Sequence, residues 1–126
     1  MSIVKKLDHT RMRVSDLDRT VEFYKNILGL KELKRSESPR GSKLVFLEVP
    51  GSEEKIEITY FPDSGAVEVQ EDLIHLAFIV EDLEAFRQHI QQHGVDFSDG
   101  PHTSSSGTTF AFVDAPEGYE IELIQG

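Results

Sequence analysis

The sequence predicts an α+β fold in which two βαβββ modules, about residues 4–62 and 72–126, form one domain spanning residues 1–126. One observation is the order of the elements, because a strand, a helix and three further strands occur twice along the chain. Another is an internal repeat, in which residue n matches residue n + 66. The matched pairs are His9 and His75, Val14 and Val80, Asp16 and Asp82, Leu17 and Leu83, and Pro50 and Pro116. Two such modules would place their sheets side by side around a shared cleft.

In the first module, the stretch KLDHTRMRV at 6–14 predicts a strand, and Ser15 predicts the N-cap of a helix. Gly29 is expected to end this helix. The apolar residues of this helix recur at helical spacing and are Leu17, Val21, Tyr24 and Leu28. Three strands are predicted near 30–37, 43–49 and 55–61, separated by turns at Pro39-Arg40-Gly41 and Pro50-Gly51-Ser52.

The second module follows a polar connection at 62–72. LIHLAFIV at 73–80 predicts its first strand, Asp82 the cap of its helix and Gly94 the end of that helix. The inner face of the helix is expected to consist of Leu83, Phe86 and Ile90. A short piece near 95–98 and a Pro-, Gly- and Ser-rich loop at 99–107 come next. The chain closes with strands near 108–114 and 119–124, which are joined at Pro116-Glu117-Gly118.

The composition excludes several classes of function. The chain has 126 residues and a net charge of −10 from 23 acidic and 13 basic residues, which disfavours nucleic-acid binding. Without cysteine it has no disulfide, thiol nucleophile or thiolate metal ligand. No apolar run approaches the ~20 residues that cross a bilayer, and MSIVKKLDHT lacks the apolar region of a signal peptide. We therefore expect no membrane partner and a cytoplasmic location.

Basic residues are concentrated in the second and third strands of the first module. They are Lys31, Lys34, Arg35, Arg40 and Lys43. The ordinary interpretation of such a cluster is a solvated strand pair and turn. The alternative is a rim that binds an anionic ligand.

Two glutamates stand between branched aliphatic residues in matching strands, Glu57 in KIEITY and Glu122 in YEIELI. At an offset of 65 residues they match each other, just as His9 matches His75 on the first strand of each module. Each residue alone has an ordinary explanation, a surface glutamate or a hydrogen-bonded histidine. Together, in equivalent positions of a duplicated unit, they predict a metal site. Imidazole and carboxylate donors suit Zn²⁺, Ni²⁺, Co²⁺, Fe²⁺ or Mn²⁺.

Strand periodicity places Arg11 and Arg13 on the same face as His9. A cation beside a metal suits an anionic substrate, whereas the alternative is a salt bridge to an acidic residue, which we favour for Arg11. His89 and His93 are expected on a solvated helix face, because the stretch HIQQH lacks the glutamate of a metalloprotease motif. His102 lies in the polar loop and would at most border a site.

At this point the sequence resembles the glyoxalase I family within the vicinal-oxygen-chelate superfamily. The stretches that carry the resemblance are DHTRMRVSDLDRTVEFYKNILGLK, IEITY, IHLAFIV and GTTFAFVDAPEGYEIELIQ. The resemblance implies paired βαβββ modules with a curved mixed-sheet cleft, and a homodimer in which each metal is bound by two residues from each chain. The family's ligand order of His, Glu, His, Glu falls on His9, Glu57, His75 and Glu122.

The resemblance also implies a reaction, in which the hemithioacetal of methylglyoxal and glutathione is isomerised through an enediolate to a lactoyl thioester. A metal would stabilise the enediolate oxygens and a carboxylate would shuttle the proton. Glu122 would be the main base and Glu57 its partner. The resemblance favours Ni²⁺ or Co²⁺, with Zn²⁺, Mn²⁺ and Fe²⁺ left open by the ligands.

Two departures from the family pattern concern the thiol. Arg13 matches the arginine that contacts the glutathione carboxylate. Phe61, however, replaces the asparagine that usually follows TY, and the loop 102–107 lacks the family's basic residue. The sequence therefore predicts an intact metal centre beside an altered thiol pocket, so that the thiol is glutathione or another thiol.

Other functions within the superfamily are an acyl-thioester epimerase, a thiol transferase acting on an antibiotic and a ring-cleaving dioxygenase. Glu57 argues against each, because the epimerases usually carry glutamine there and the other two need only three ligands. A metal-free binding or resistance protein is a further class, but such relatives have usually lost the ligands.

Overall fold

The computed structural model describes residues 3–126, which group into two compact units that divide after Val67. Residues 1 and 2 of the predicted domain lie outside this range. Unit 1 contains β1 (His9–Arg13), α1 (Leu17–Asn26), β2 (Lys31–Glu37), β3 (Lys43–Glu48), β4 (Lys55–Tyr60) and a 3₁₀ turn (Pro62–Ser64). Unit 2 contains β5 (His75–Val80), α2 (Leu83–Gln91), β6 (Asp99–Thr103), β7 (Thr109–Asp114), a 3₁₀ turn (Pro116–Gly118) and β8 (Glu120–Gln125).

Each unit folds into a four-stranded mixed sheet with the same strand order. The order is β1-β4-β3-β2 in unit 1 and β5-β8-β7-β6 in unit 2. In both sheets the first and last strands of the unit pair in parallel, and the remaining pairs are antiparallel. The predicted α+β fold of two βαβββ modules is therefore confirmed.

Strand alternation gives each sheet one apolar face, on which its helix packs. In unit 1, α1 packs on β4, and its Val21 and Tyr24 are fully buried, as is Ile58 of that strand. In unit 2, α2 packs on β7 and β8, and its Ile90 and Leu123 of β8 are fully buried. Because successive strand residues point to opposite faces, the residues between the aliphatic ones lie on the other face of each sheet.

Two details differ from the prediction. The N-cap of α1 is Asp16 rather than Ser15, because the Asp16 carboxylate accepts a hydrogen bond from Arg19 N, while the Ser15 hydroxyl accepts one from Val67 N. Asp82 caps α2 in the same way, as predicted.

The polar loop 99–107 contains strand β6, whose pairing with β7 has an irregularity between Asp99 and His102. That irregularity accommodates Gly100 and Pro101, which argue against a strand in sequence.

Both helices are short, with 10 residues in α1 and 9 in α2. Within residues 3–126 we find no helix with the length and apolar character needed to cross a membrane.

We expect Leu47→Ala to lower the free energy of unfolding by about 2–5 kcal/mol, because it opens a cavity at a fully buried position of β3. Leu7→Ala is the matched control, since that leucine is 60% exposed, and it should change stability by less than about 0.5 kcal/mol. Urea denaturation followed by circular dichroism measures both. Equal effects of the two substitutions would contradict the assignment of the core.

Candidate functional site

In unit 1 the parallel pairing of β1 and β4 brings His9 close to Glu57. His9 is opposite Lys55 in the register, and Glu57 is opposite Arg11, so the histidine and the glutamate are diagonal neighbours. His9 Nε2 lies 3.4 Å from Glu57 Oε1. Sequence spacing alone predicted both residues as ligands, and the structure brings them together.

Unit 2 repeats this arrangement with β5 and β8. His75 is opposite Glu120 and Glu122 is opposite Ala77, which is the same diagonal. His75 Nε2 lies 3.0 Å from Glu122 Oε1. The internal repeat is therefore a repeat of geometry as well as of residue type, and each unit presents one His–Glu pair.

A phenylalanine completes each pair, and the sequence analysis did not identify it. Phe46 is opposite Glu57 in the antiparallel β3–β4 pair, and Phe112 is opposite Glu122 in the β7–β8 pair. The ring centroid of Phe46 lies 5.6 Å from that of His9 at 78° between the ring planes. For Phe112 and His75 the values are 5.5 Å and 85°. The two phenylalanines are separated by 66 residues, the offset of the internal repeat. A search of the repeat for matching aromatic residues would therefore have identified them from the sequence.

Asp8 orients the imidazole of His9. Its Oδ2 lies 2.7 Å from His9 Nδ1, and this hydrogen bond, together with the charges of His9, Lys55 and Lys6, lowers the pKa of the Asp8 carboxyl against an opposing effect of desolvation. Since a carboxylate only accepts, a neutral His9 carries its proton on Nδ1 and keeps a lone pair on Nε2, which faces Glu57. A carboxylate on the outer nitrogen is typical of metal-bound histidines. In unit 2 the equivalent position is Ile74.

The two glutamates have different surroundings. Glu57 is 6% exposed, and its Oε2 accepts a hydrogen bond from the fully buried Thr59 hydroxyl and lies 3.3 Å from Arg11 Nε. The Glu122 side chain is 19% exposed, and within residues 3–126 its only recorded partner is His75. Glu57 thus has a hydroxyl and a guanidinium as partners besides its histidine, whereas Glu122 has only its histidine among the hydrogen bonds and salt bridges of residues 3–126.

Arg11 and Arg13 make different contacts on β1. Arg11 forms the salt bridge that the sequence favoured, and its partner is Glu57. Arg13 Nη1 donates to the backbone carbonyls of Ser64 (3.3 Å) and Gly65 (3.2 Å), which fixes the turn that follows β4. Both arginines therefore border the polar face of the unit 1 sheet.

The remaining histidines lie away from the two pairs. His89 and His93 are exposed on α2 and after it, with ring centroids 5.1 Å apart. His102 Nε2 pairs with Asp99 Oδ1 at 2.8 Å on β6. None of the three contacts either His–Glu pair in the part of the chain that the structure describes.

The donors of each pair fit a borderline divalent metal. Each offers an imidazole Nε2 and a carboxylate oxygen, with the His9 tautomer set by Asp8. Across residues 3–126, no group of three or more His, Asp or Glu side chains forms a site that would hold a metal. One pair supplies two such ligands.

A family model for the Glyoxalase/Bleomycin resistance protein/Dioxygenase superfamily matches residues 6–123. The lactoylglutathione lyase of Salmonella typhimurium is 38% identical over 125 residues, which cover 95% of this chain and 92% of that protein.

Two solved structures extend the similarity. The trypanothione-dependent glyoxalase I of Leishmania major is 34% identical with a TM-score of 0.78, covering 97% of this chain and 87% of that one. Glyoxalase I of Zea mays is 29% identical with a TM-score of 0.83, covering 96% of this chain and 44% of that one. The chain thus spans less than half of the maize enzyme.

Thr59→Val should lower the free energy of unfolding of the metal-free protein by about 1–3 kcal/mol, because it leaves the buried Glu57 carboxylate without its hydroxyl donor. Thr103→Val is the matched control, as an exposed threonine on a strand. Thermal or urea unfolding after treatment with a chelator measures the difference. A loss no larger than that of the control would show that Thr59 does not stabilise Glu57.

Proposed function

The chain belongs to the Glyoxalase/Bleomycin resistance protein/Dioxygenase superfamily, and we propose that it converts the hemithioacetal of a 2-oxoaldehyde, such as methylglyoxal, and a thiol into a lactoyl thioester. It is an enzyme of the lactoylglutathione lyase kind. The observation that carries the proposal is the repeated arrangement of histidine, glutamate and phenylalanine in the same register of both sheets.

We propose His9, Glu57, His75 and Glu122 as the ligands of one divalent metal. The donor types, the Nε2 position of both imidazoles at the glutamates and the Asp8 hydrogen bond support this assignment. When bound, Ni²⁺ or Co²⁺, ahead of Zn²⁺, Mn²⁺ or Fe²⁺, would supply a Lewis acid for the negative charge that develops on the substrate oxygens.

The reaction moves one proton between neighbouring carbons of the substrate, so the protein must supply a group that takes the proton and returns it. We assign this role to Glu122, because its carboxylate is partly exposed and has His75 as its only hydrogen-bond or salt-bridge partner within residues 3–126. Glu57 assists from the opposite side of the substrate, where Thr59 and Arg11 hold its carboxylate in one orientation. Phe46 and Phe112 pack against the histidine rings and fix their planes.

Two further proposals concern the residue that binds the thiol and the oligomeric state. Arg13 is proposed to bind a carboxylate of the thiol, supported by its place on the same strand as His9 and by the turn that orients its guanidinium. Phe61 makes the thiol pocket differ from a glutathione site, and the Leishmania relative is trypanothione-dependent. The Salmonella typhimurium relative, however, is a lactoylglutathione lyase, so glutathione is the first thiol to test. We further propose a homodimer.

The proposal predicts that Ni²⁺-loaded protein converts the preformed methylglyoxal–glutathione hemithioacetal to the thioester, followed by its ultraviolet absorbance. Glu122→Gln should lower kcat by about 10²–10⁴-fold, because the amide cannot accept the proton. Chelation should abolish turnover and Ni²⁺ should restore it.

Glu54→Gln is the matched control, because Glu54 is exposed in the same unit as Glu57, and it should leave kcat unchanged. Full activity of the chelated protein would refute the metal dependence, and full activity of Glu122→Gln would refute the role of Glu122 as the base. If Ni²⁺-loaded protein fails with glutathione, the same assay with mercaptoethanol and trypanothione decides between another thiol and another reaction.

A further inference from the structure

Beside Glu57, within unit 1, lies a cavity of about 460 Å³ that has no assigned ligand in the reaction outlined above. Arg11 and Arg40 line it together with the hydroxyl residues Ser38, Ser42 and Ser64. Its volume falls in the range of small-molecule sites, which combine a few convergent polar groups with apolar walls. Leu44 and Phe61 supply the apolar part.

The charge of this Arg11–Arg40 cavity is positive. Arg11 approaches Glu57 through Nε, at 3.3 Å from Oε2, and so keeps both Nη groups for another acceptor. Arg40 is exposed, and we find no hydrogen bond or salt bridge from its side chain to any residue in 3–126. Two guanidinium groups against one carboxylate leave an excess positive charge in a chain whose net charge is −10.

Ser42 contributes a hydroxyl without a protein partner. The residue is only 9% exposed, and within the described chain its side chain makes no recorded hydrogen bond. Ser42 is one of the residues that line the cavity. A largely buried donor that opens onto a cationic cavity is suited to an anionic ligand.

Unit 2 provides an internal control for the turn that carries these residues. In unit 1, Ser38 N donates to Ser42 O (2.8 Å), and Ser42 N donates to Ser38 Oγ (3.1 Å). In unit 2, Ser104 N donates to Thr108 O (2.9 Å), and Thr108 N donates to Ser104 Oγ (3.2 Å). The same turn therefore forms in both units.

The arginines are present in only one of the two copies. At the repeat offset, Arg11 corresponds to Ala77 and Arg40 to Ser106. Neither guanidinium is needed to form the strand or the turn, because unit 2 builds both without them. The two arginines thus represent a feature of unit 1 that the fold does not require.

We propose that the Arg11–Arg40 cavity binds a carboxylate carried by the carbonyl half of the substrate, which makes the physiological aldehyde an acidic 2-oxoaldehyde. Guanidinium groups bind carboxylates through paired N–H donors, and the serine hydroxyls supply further donors. Glu57 lines the same cavity, so the bound group lies within a few bonds of the carbons on which Glu57 acts. The carboxylates of a thiol such as glutathione are much farther from those carbons along the chain of bonds. This inference rests on the proposed function for the identity of the substrate, but the cavity itself is independent of it.

Binding is tested first without turnover. Succinate and its neutral counterpart succinamide are titrated into the full chain after metal removal, and the backbone amides of Gly41 and Ser42 are followed by NMR. We expect succinate to shift these amides and succinamide to leave them in place. Arg40→Gln should weaken succinate binding about tenfold, whereas Lys31→Gln, which removes an exposed charge from β2 outside the cavity, should change it less than twofold. Equal effects of the two variants, or equal shifts by the two probes, would overturn the proposal.

Turnover then identifies the half of the substrate that carries the carboxylate. With glutathione fixed, methylglyoxal is compared with a 2-oxoaldehyde whose methyl group is replaced by carboxyethyl. With methylglyoxal fixed, glutathione is compared with mercaptoethanol. We expect Arg40→Gln to lower kcat/KM about tenfold for the carboxyethyl adduct only. A loss that follows the thiol instead would overturn the assignment to the carbonyl half. If succinate binding depends on Arg40 but the protein turns over no adduct, the cavity is confirmed as a carboxylate site and the proposed function is refuted. If the methylglyoxal adduct turns over normally and Arg40→Gln changes neither binding nor turnover, the proposed function is supported and the cavity proposal is refuted.

Discussion

The parallel pairing of the first and last strand in each unit is the constraint on which the site depends. It aligns β1 with β4 and β5 with β8 in one register, and that register alone makes the histidine and the glutamate diagonal neighbours. A shift of one residue would turn the glutamate toward the helix and the aliphatic residues toward the polar face. The buried aliphatic residues on either side of each glutamate, such as Ile121 and Leu123, oppose that shift, so the hydrophobic core holds the site in register.

Duplication has produced two copies of the same geometry with different surroundings. Glu57 is buried and has Thr59 and Arg11 as polar partners, while Glu122 is partly exposed and has His75 as its only hydrogen-bond or salt-bridge partner within residues 3–126. Carboxylates that are equivalent by register therefore have unequal surroundings, which is the basis for proposing unequal roles for them. The two arginines of the unit 1 cavity likewise have no counterpart in unit 2, where Ala77 and Ser106 occupy the equivalent positions. Substrate choice, in this account, depends on residues that the fold itself does not need.

The sequence was sufficient for the fold and for the residues of both pairs, because alternation and an internal repeat are local or near-local signals. It was insufficient for contacts that depend on strand register. Phe46 contacts His9 only once β1, β3 and β4 are aligned. The same alignment is needed for the hydrogen bond from Thr59 and the salt bridge from Arg11 to Glu57. Helix capping was missed by one residue, since Ser15 and Asp16 are both good caps and tertiary contact with Val67 engages Ser15 elsewhere. Strand β6 was missed because Gly100 and Pro101 lie inside it.

We propose that the imidazoles of both His–Glu pairs, His9 and His75, are metal ligands. X-ray absorption spectroscopy of the Ni²⁺-loaded protein tests it most directly, because imidazole ligands give a recognisable multiple-scattering pattern that can be counted. The account predicts two imidazoles in the wild-type protein and one in each of His9→Ala and His75→Ala, with the remaining ligands being oxygen. A wild-type spectrum with fewer than two imidazoles, or a count that either substitution leaves unchanged, would contradict it.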